Sequence, residues 1–283
     1  QIGGAGFGAS AVASRMTEAA PCCPPGSLPY MSADHKDAGS VLDLGAAQCY
    51  ATGSSAAAAA VIMVPDVWGW NGGRTRAIAD HVAATMGVYV LVPKLLDSPA
   101  LEGGTDGDGL PPTFAIEERM PDFGKWVGKL PWSALRPKVE AVLAHVKGKK
   151  VGMTGFCWGG WLLCHASALS DAVLCGVIAH PSVGLEQMIF KGSNAALAST
   201  VRCPVLFMPA GNDPPAYAPG GDIFDAVKAR NAATESVAFP DMAHGWVPRG
   251  NISDTAIRRD VEKAVSLMME YLGKHLGVPK SRL

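Results

Sequence analysis

The sequence predicts an α/β fold, with a mostly parallel central sheet covered by helices on both faces. Three observations carry this. Short apolar or β-branched runs alternate with helix-compatible segments between residues 41 and 276, the pattern of parallel strands joined by crossover helices. The compact run Ala58 to Pro65 suits a strand buried on both faces. The segment Val151 to Thr154 stops at Gly155, and an apolar helical segment begins at Gly159, so a strand, a sharp turn and a helix meet at Cys157.

Length and composition bound the rest. With 283 residues, 48% of them hydrophobic, the chain can bury a large core, and one domain over residues 36–276 is expected. An irregular arm over 1–35 precedes it and a tail over 277–283 follows. The 24 basic and 25 acidic residues nearly cancel, and no basic cluster exceeds Lys147 to Lys150, so neither nucleic acid nor an anionic membrane is an expected partner. The longest strongly apolar run, Ala56 to Val64, is about half of a membrane span. Seven scattered cysteines without metal-ligand spacings suit a reducing compartment. Cys22 and Cys23 are adjacent, but no His or Cys lies at ligand spacing, so no metal is expected.

Taken in order, residues 1–17 lack the charged leader and apolar core of a secretory signal. They read either as a non-native leader before Met16 or as the remnant of a longer precursor with an organelle address. A cytoplasmic location is the default, with organelle import as the alternative. Val41 to Tyr50 suits an early strand. Arg74 to Met86 places Ile78, Val82 and Met86 on one helical face, closed by Gly87, and Val88 to Pro93 is the next strand. Leu95 to Pro131, rich in Gly, Asp and Pro, reads as a long excursion of the kind that covers a site. Trp132 to Val146 is a helix with Leu135, Val139, Val142 and Val146 on one side. Further strands fit Leu174 to Ala179, Val205 to Pro209 and Ser236 to Phe239, with helices near Ile223 to Ala232 and Ala256 to Leu276. In such a sheet, functional groups gather at the carboxyl ends of the strands.

Gly155-Phe156-Cys157-Trp158-Gly159 has the form of the nucleophile elbow of an α/β-hydrolase, with cysteine where serine usually stands. A side chain there sits at a helix N-terminus, where unpaired N–H groups and the helix dipole favour a thiolate. Read alone, Cys157 is equally well one more buried small hydrophobe. The order nucleophile, acid, base then requires an acid after a later strand and a histidine after the last. Asp213, in Ala-Gly-Asn-Asp-Pro-Pro, and His244, in Asp-Met-Ala-His-Gly-Trp, occupy those positions. Singly, a turn aspartate and a loop histidine are ordinary; three residues at three strand ends in the demanded order are not.

Together with Asp66-Val-Trp-Gly-Trp70, Gly155-Phe-Cys-Trp-Gly-Gly160, Gly211-Asn-Asp213 and His244-Gly-Trp246, the chain resembles the dienelactone hydrolase family over residues 36–276. The resemblance implies a Cys-Asp-His hydrolase of cyclic enol-lactones or related small esters that needs no cofactor. It implies attack by Cys157 to give an acyl-enzyme, His244 as the proton-transferring base and Asp213 as its orienting partner. It also implies an oxyanion hole from the backbone N–H groups of Trp158 and Val67. Asp66 stands where relatives place a carboxylate that hydrogen-bonds the thiol; its other reading is a loop aspartate satisfying backbone N–H groups. Arg249 stands where the family brings an arginine towards a substrate carboxylate, against the alternative of a surface salt bridge. Arg119 is the candidate for a second arginine, and Lys94 departs from an aspartate common in relatives. Trp68 and Trp246 are candidate pocket-lining aromatics, while His180 and His165 read as structural.

The expected function is hydrolysis of a small lactone, ester or thioester by a monomer or homodimer. The alternatives are a general carboxylesterase or thioesterase on the same triad, and a non-catalytic scaffold.

Overall fold

The computed structural model describes residues 35–96 and 107–279. Most of the expected N-terminal arm, with Met16, Cys22 and Cys23, lies outside the described residues, as do 97–106 of the excursion and the end of the tail.

Eight strands form one sheet: β1 (Ser40–Asp43), β2 (Gln48–Thr52), β3 (Ala59–Val64), β4 (Tyr89–Pro93), β5 (Lys150–Phe156), β6 (Val173–Ala179), β7 (Val205–Met208) and β8 (Glu235–Ser236). Their order across the sheet is β1-β2-β4-β3-β5-β6-β7-β8. The β1/β2 and β2/β4 pairs are antiparallel and all others are parallel. Between them run α1 (Thr75–Met86), α2 (Met120–Val127), α3 (Trp132–His145), α4 (Trp158–Ser167), α5 (Leu185–Met188), α6 (Asn194–Thr200), α7 (Asp222–Arg230), α8 (Trp246–Arg249) and α9 (Thr255–Leu276).

The alternation of side chains along β3 shows why both faces must be covered. Ala60, Ile62 and Val64 join a core with Leu135 and Val139 of α3 and Leu162 of α4. Ala59, Val61 and Met63 point the other way, into a core with Ile78 and Val82 of α1 and Val261 and Val265 of α9. Each such Val, Leu or Ile contributes about 1.5–3 kcal/mol by leaving water, so the central strands anchor the sheet. Edge strand β1, largely exposed, adds little.

The structure departs from the sequence expectations in four places. Val41 to Tyr50 is not one strand but most of a hairpin, because Gly45 (φ 77) reverses the chain while the Asp43 carboxylate accepts from its N–H at 2.8 Å. The last strand is shorter than Ser236 to Phe239: Val237 and Phe239 donate to Phe207 and Pro209, but Pro209 has no N–H to return, and Phe239 makes only an isolated bridge to Ala210. The excursion holds a helix, α2, opened by Pro121 in its first turn and burying Trp126 and Val127. The short helices α5, α6 and α8, of four to seven residues, are too brief for a periodic signal.

The elbow packs tightly against β3. A Cβ on Gly159 would lie 2.6 Å from the Val64 carbonyl oxygen and 2.7 Å from that of Pro65. Gly159→Ala is therefore expected to cost about 1–3 kcal/mol as overpacking against rigid backbone, read as a lower denaturant midpoint. An unchanged midpoint would mean that the elbow is more loosely seated than it is here.

Candidate active site

Five strand ends converge. After β5, Cys157 adopts φ 53 and ψ −115, a conformation costing of order 1–3 kcal/mol for a residue with a Cβ. The chain is held there on both sides: Cys157 N–H donates to the Ala179 carbonyl at 3.1 Å, and Cys157 C=O accepts from Gly160 at 3.0 Å and Ser182 at 3.2 Å. The side chain stands at the N-terminus of α4, half-buried, whereas the other described cysteines, Cys49, Cys164, Cys175 and Cys203, are buried. Burial pushes those four thiols up, away from the reactive form.

Asp213 follows β7. Its side chain is 2% exposed; one carboxylate oxygen accepts from the Ala210 N–H at 2.7 Å, and the other lies 2.5 Å from His244 Nδ1. His244 is also latched through its own N–H to Asn212 Oδ1 at 2.7 Å. Gly245, at φ 89, turns the chain straight into α8, a left-handed step suited to glycine. With Nδ1 committed to Asp213, Nε2 faces the Ser182 hydroxyl at 3.4 Å, which itself lies 3.4 Å from Cys157 Sγ. Burial works to lower the His244 pKa, but the negative sulfur of Cys157, hydrogen bonds to Asp213 and Cys157, and the Asp213 charge outweigh it and push it up to about 10. These partners favour the imidazolium form of His244.

Asp66 follows β3 and is 2% exposed. It accepts from the Trp68 N–H at 2.9 Å, as the loop reading expected, and its other oxygen faces Arg249 Nε at 3.4 Å. Burial raises the Asp66 pKa, while Arg249, the Trp68 N–H and His244 oppose the rise. Its hydrogen bond goes to the loop and its ion pair to Arg249, and among the described residues it makes none to the thiol. Arg249 also stacks its guanidinium 4.1 Å from the Trp68 ring centre, and it is placed by Arg74, whose guanidinium binds the carbonyls of Val247 at 2.7 Å and Gly250 at 2.6 Å. The arginine is therefore neither a surface salt bridge nor a free side chain.

At the start of α4 the Trp158 N–H has no intrahelical acceptor, and Val67 sits on the β3 loop that the elbow touches. Trp68 is half-buried under Arg249. Trp246 is corrected from a pocket-lining residue: it is 1% exposed, packed between Phe239 and His180, so it supports the histidine loop from behind. Arg119 pairs with Asp122 at 2.9 Å on the surface and stacks on Phe114. Lys94 lies 5.7 Å from the Trp70 ring centre. His165 hydrogen-bonds Glu186 at 3.0 Å, as a structural histidine does.

Two residues were not legible as site components. Asp108, buried, accepts from Leu96 and Trp70 N–H groups at 2.6 and 2.8 Å and so fastens the excursion to the loop that carries Asp66 to Trp68. Ser182 follows β6, and nothing but its place in Ala-His-Pro-Ser distinguishes it in the sequence. The three oxygen and nitrogen ligands of His35, Asp37 and Asp80 also converge, but Asp80 already accepts from His35, Ala38 and Tyr50. A groove of about 680 Å³ lined by Leu206, Val237, Tyr271 and Val278, beside β8 and α9, includes none of the candidate site residues.

A mostly parallel sheet with a strained turn at the end of β5 and partners after β7 and the Phe239 bridge defines an α/β-hydrolase fold. The dienelactone hydrolase family profile matches residues 47–276, and the chain belongs to that family. It is 26% identical over 232 residues to the carboxymethylenebutenolidase homolog of Rattus norvegicus, covering 77% of this chain and 82% of the relative. It is also 27% identical over 237 residues to an uncharacterized AIM2 family protein of Schizosaccharomyces pombe, covering 81% and 88%. The dienelactone hydrolase of Anabaena variabilis superposes with a TM-score of 0.55 at 16% identity, over 85% of this chain and 98% of that one, and shares the fold. Among the described residues no helix is long and apolar enough to cross a membrane.

Proposed function

We propose that this member of the dienelactone hydrolase family cleaves a small lactone, ester or thioester through Cys157, His244 and Asp213. The observation that carries the reading is the run of polar contacts from Asp213 through His244 to the sulfur of a residue held in a strained turn. Cys157 sulfur attacks the acyl carbon, and the backbone N–H groups of Trp158 and Val67 receive the negative charge that develops on the carbonyl oxygen; losing one such donor typically costs about 100- to 1000-fold in rate. The leaving alkoxide takes the proton from His244 Nε2. Water, deprotonated by the same nitrogen, then releases the acid and regenerates the thiolate. The groups present complete this cycle without a cofactor.

Arg249 favours a substrate that carries a carboxylate. Its guanidinium plane is half-exposed over Trp68, and a planar guanidinium binds carboxylates in bidentate fashion. The competing reading, a general carboxylesterase or thioesterase, is favoured by its existing pairing with Asp66. Hydrolysis of p-nitrophenyl acetate and of a carboxylate-bearing lactone by wild type and Arg249→Met separates them. The expected result is a KM for the lactone raised about tenfold or more, the scale of one charge-assisted hydrogen-bonded contact, with the neutral ester little affected. Equal effects on both substrates would favour the general esterase. A folded protein that cleaves neither, and whose Cys157 alkylates no faster than the other cysteines, would favour a scaffold.

A further inference from the structure

We propose that Ser182 is an additional catalytic residue, whose hydroxyl bridges Cys157 and His244 and holds the sulfur and imidazole as a contact ion pair. The proposal rests on the cysteine-hydrolase reading above and adds to it a group outside the Cys-Asp-His set. Ser182 Oγ lies 3.4 Å from Cys157 Sγ and 3.4 Å from His244 Nε2, within hydrogen-bonding reach of both reacting atoms.

The hydroxyl has one proton to give and lone pairs to accept with, so it is satisfied in either state of the pair. When the sulfur is a thiolate and His244 an imidazolium, Nε2–H is shared between the sulfur and Ser182 Oγ, and Oγ–H donates to the sulfur. When both are neutral, with Nδ1–H held by Asp213, the thiol S–H donates to Oγ and Oγ–H donates to Nε2. Passing between the two states moves the sulfur proton to Oγ as the hydroxyl proton moves to Nε2, and no other species is consumed. The ionised arrangement gains most, because a hydrogen bond to a charged partner is about twice as strong as one between neutral groups.

The backbone places this hydroxyl with little freedom. Ala179 C=O accepts from Cys157 N–H, and Ser182 N–H donates to Cys157 C=O, so the 179–182 turn is tied to the elbow at both ends. Between those ties, His180 is held at φ 39 with its N–H on the Met208 carbonyl at 2.9 Å. Its ring is fully buried and edge-on to His244, centroids 5.0 Å apart, and among the described residues neither ring nitrogen has a hydrogen-bond partner. Burial, together with the positive charge of His244 and Arg249, keeps His180 neutral. The remaining titratable groups around the pair are Asp213 on the β7 loop, Tyr217 beyond it, Asp66 on the β3 loop and Arg249 on α8. None of these is the group that touches both sulfur and Nε2.

The test follows the pH dependence of Cys157 alkylation by iodoacetamide, and of ester hydrolysis, in wild type, Ser182→Ala, Ser182→Thr and Cys157→Ala, with melting temperatures for each. In Ser182→Ala the acid limb of the alkylation profile is expected to move up by about one pH unit, a tenfold change in the ionisation equilibrium. Turnover should fall about tenfold, while Ser182→Thr, which keeps the hydroxyl, should stay within about threefold of wild type. If the alanine variant does not fold, Ser182→Gly removes the same hydroxyl and is read the same way. A hydroxyl-free variant with the wild-type pH profile, in a protein whose activity needs Cys157, overturns the proposal and leaves the cysteine-hydrolase reading standing. Wild-type activity that survives Cys157→Ala overturns that reading instead.

Discussion

Cys157→Ala is expected to lower kcat/KM by about 10⁴-fold or more for whichever ester the wild type hydrolyses, with a melting temperature close to that of wild type. Removing the nucleophile of such a set leaves only the contribution of binding and the oxyanion donors. The fold should tolerate the change, because the sulfur is half-buried and the backbone at φ 53 is held by the ties to Ala179, Gly160 and Ser182, none of which involves the side chain. A loss of less than about tenfold in the folded variant would put the chemistry elsewhere. In the same protein, loss of fast alkylation would assign the reactive thiol, since burial makes the remaining described cysteines unreactive.

Asp213→Asn is the second large effect, expected at about 10⁴-fold in kcat. One oxygen of Asp213 is required by the Ala210 N–H, so an asparagine keeps its carbonyl oxygen there and turns its NH₂ towards His244 Nδ1. That nitrogen must then accept, the ring proton moves to Nε2, and the neutral imidazole can no longer take a proton from the thiol. The same variant changes stability with pH. His244, held up to about 10, binds its proton more tightly in the folded protein than the unfolded value of about 6.5. Its contribution to stability is full below that unfolded value and is lost as pH rises through the folded one. Without the Asp213 charge the loss should be smaller and complete at lower pH, as read by denaturation midpoints across pH 6 to 10. Midpoints parallel to those of wild type would mean that Asp213 does not hold the imidazolium.

Much of this arrangement is legible in the residues. The alternation of apolar strands and amphipathic helices forces a two-sided sheet, and most ends of the longer elements fall within a residue or two of where Pro, Gly and the apolar period place them, from Ala59–Val64 to Thr255–Leu276. The order of Cys157, Asp213 and His244 was readable because in such a sheet the ends of successive parallel strands share one edge, so sequence order becomes spatial neighbourhood. Trp246 and Ser182 were not readable for the opposite reason. A tryptophan two residues from His244 is as compatible with a pocket wall as with a buried support, and only packing against Phe239 and His180 decides between them. A serine after a strand is among the commonest of loop residues, and its place beside Cys157 arises from two backbone hydrogen bonds that tie the 179–182 turn to the elbow.

By itself, then, the sequence determined the fold class, the turn that strains Cys157 and the positions from which an acid and a base can reach it, because these depend on local periodicity and on the geometry common to parallel sheets. Only the tertiary structure decided what each group touches. Arg249 lies over Trp68 and against Asp66 because Arg74, far away in the chain, ties down α8. Asp66 turns to the loop and that arginine because its carboxylate is buried and needs both. Such choices are set by distances of a few ångströms between segments distant in sequence, where hydrogen bonding and desolvation compete, and no single stretch of chain contains both partners.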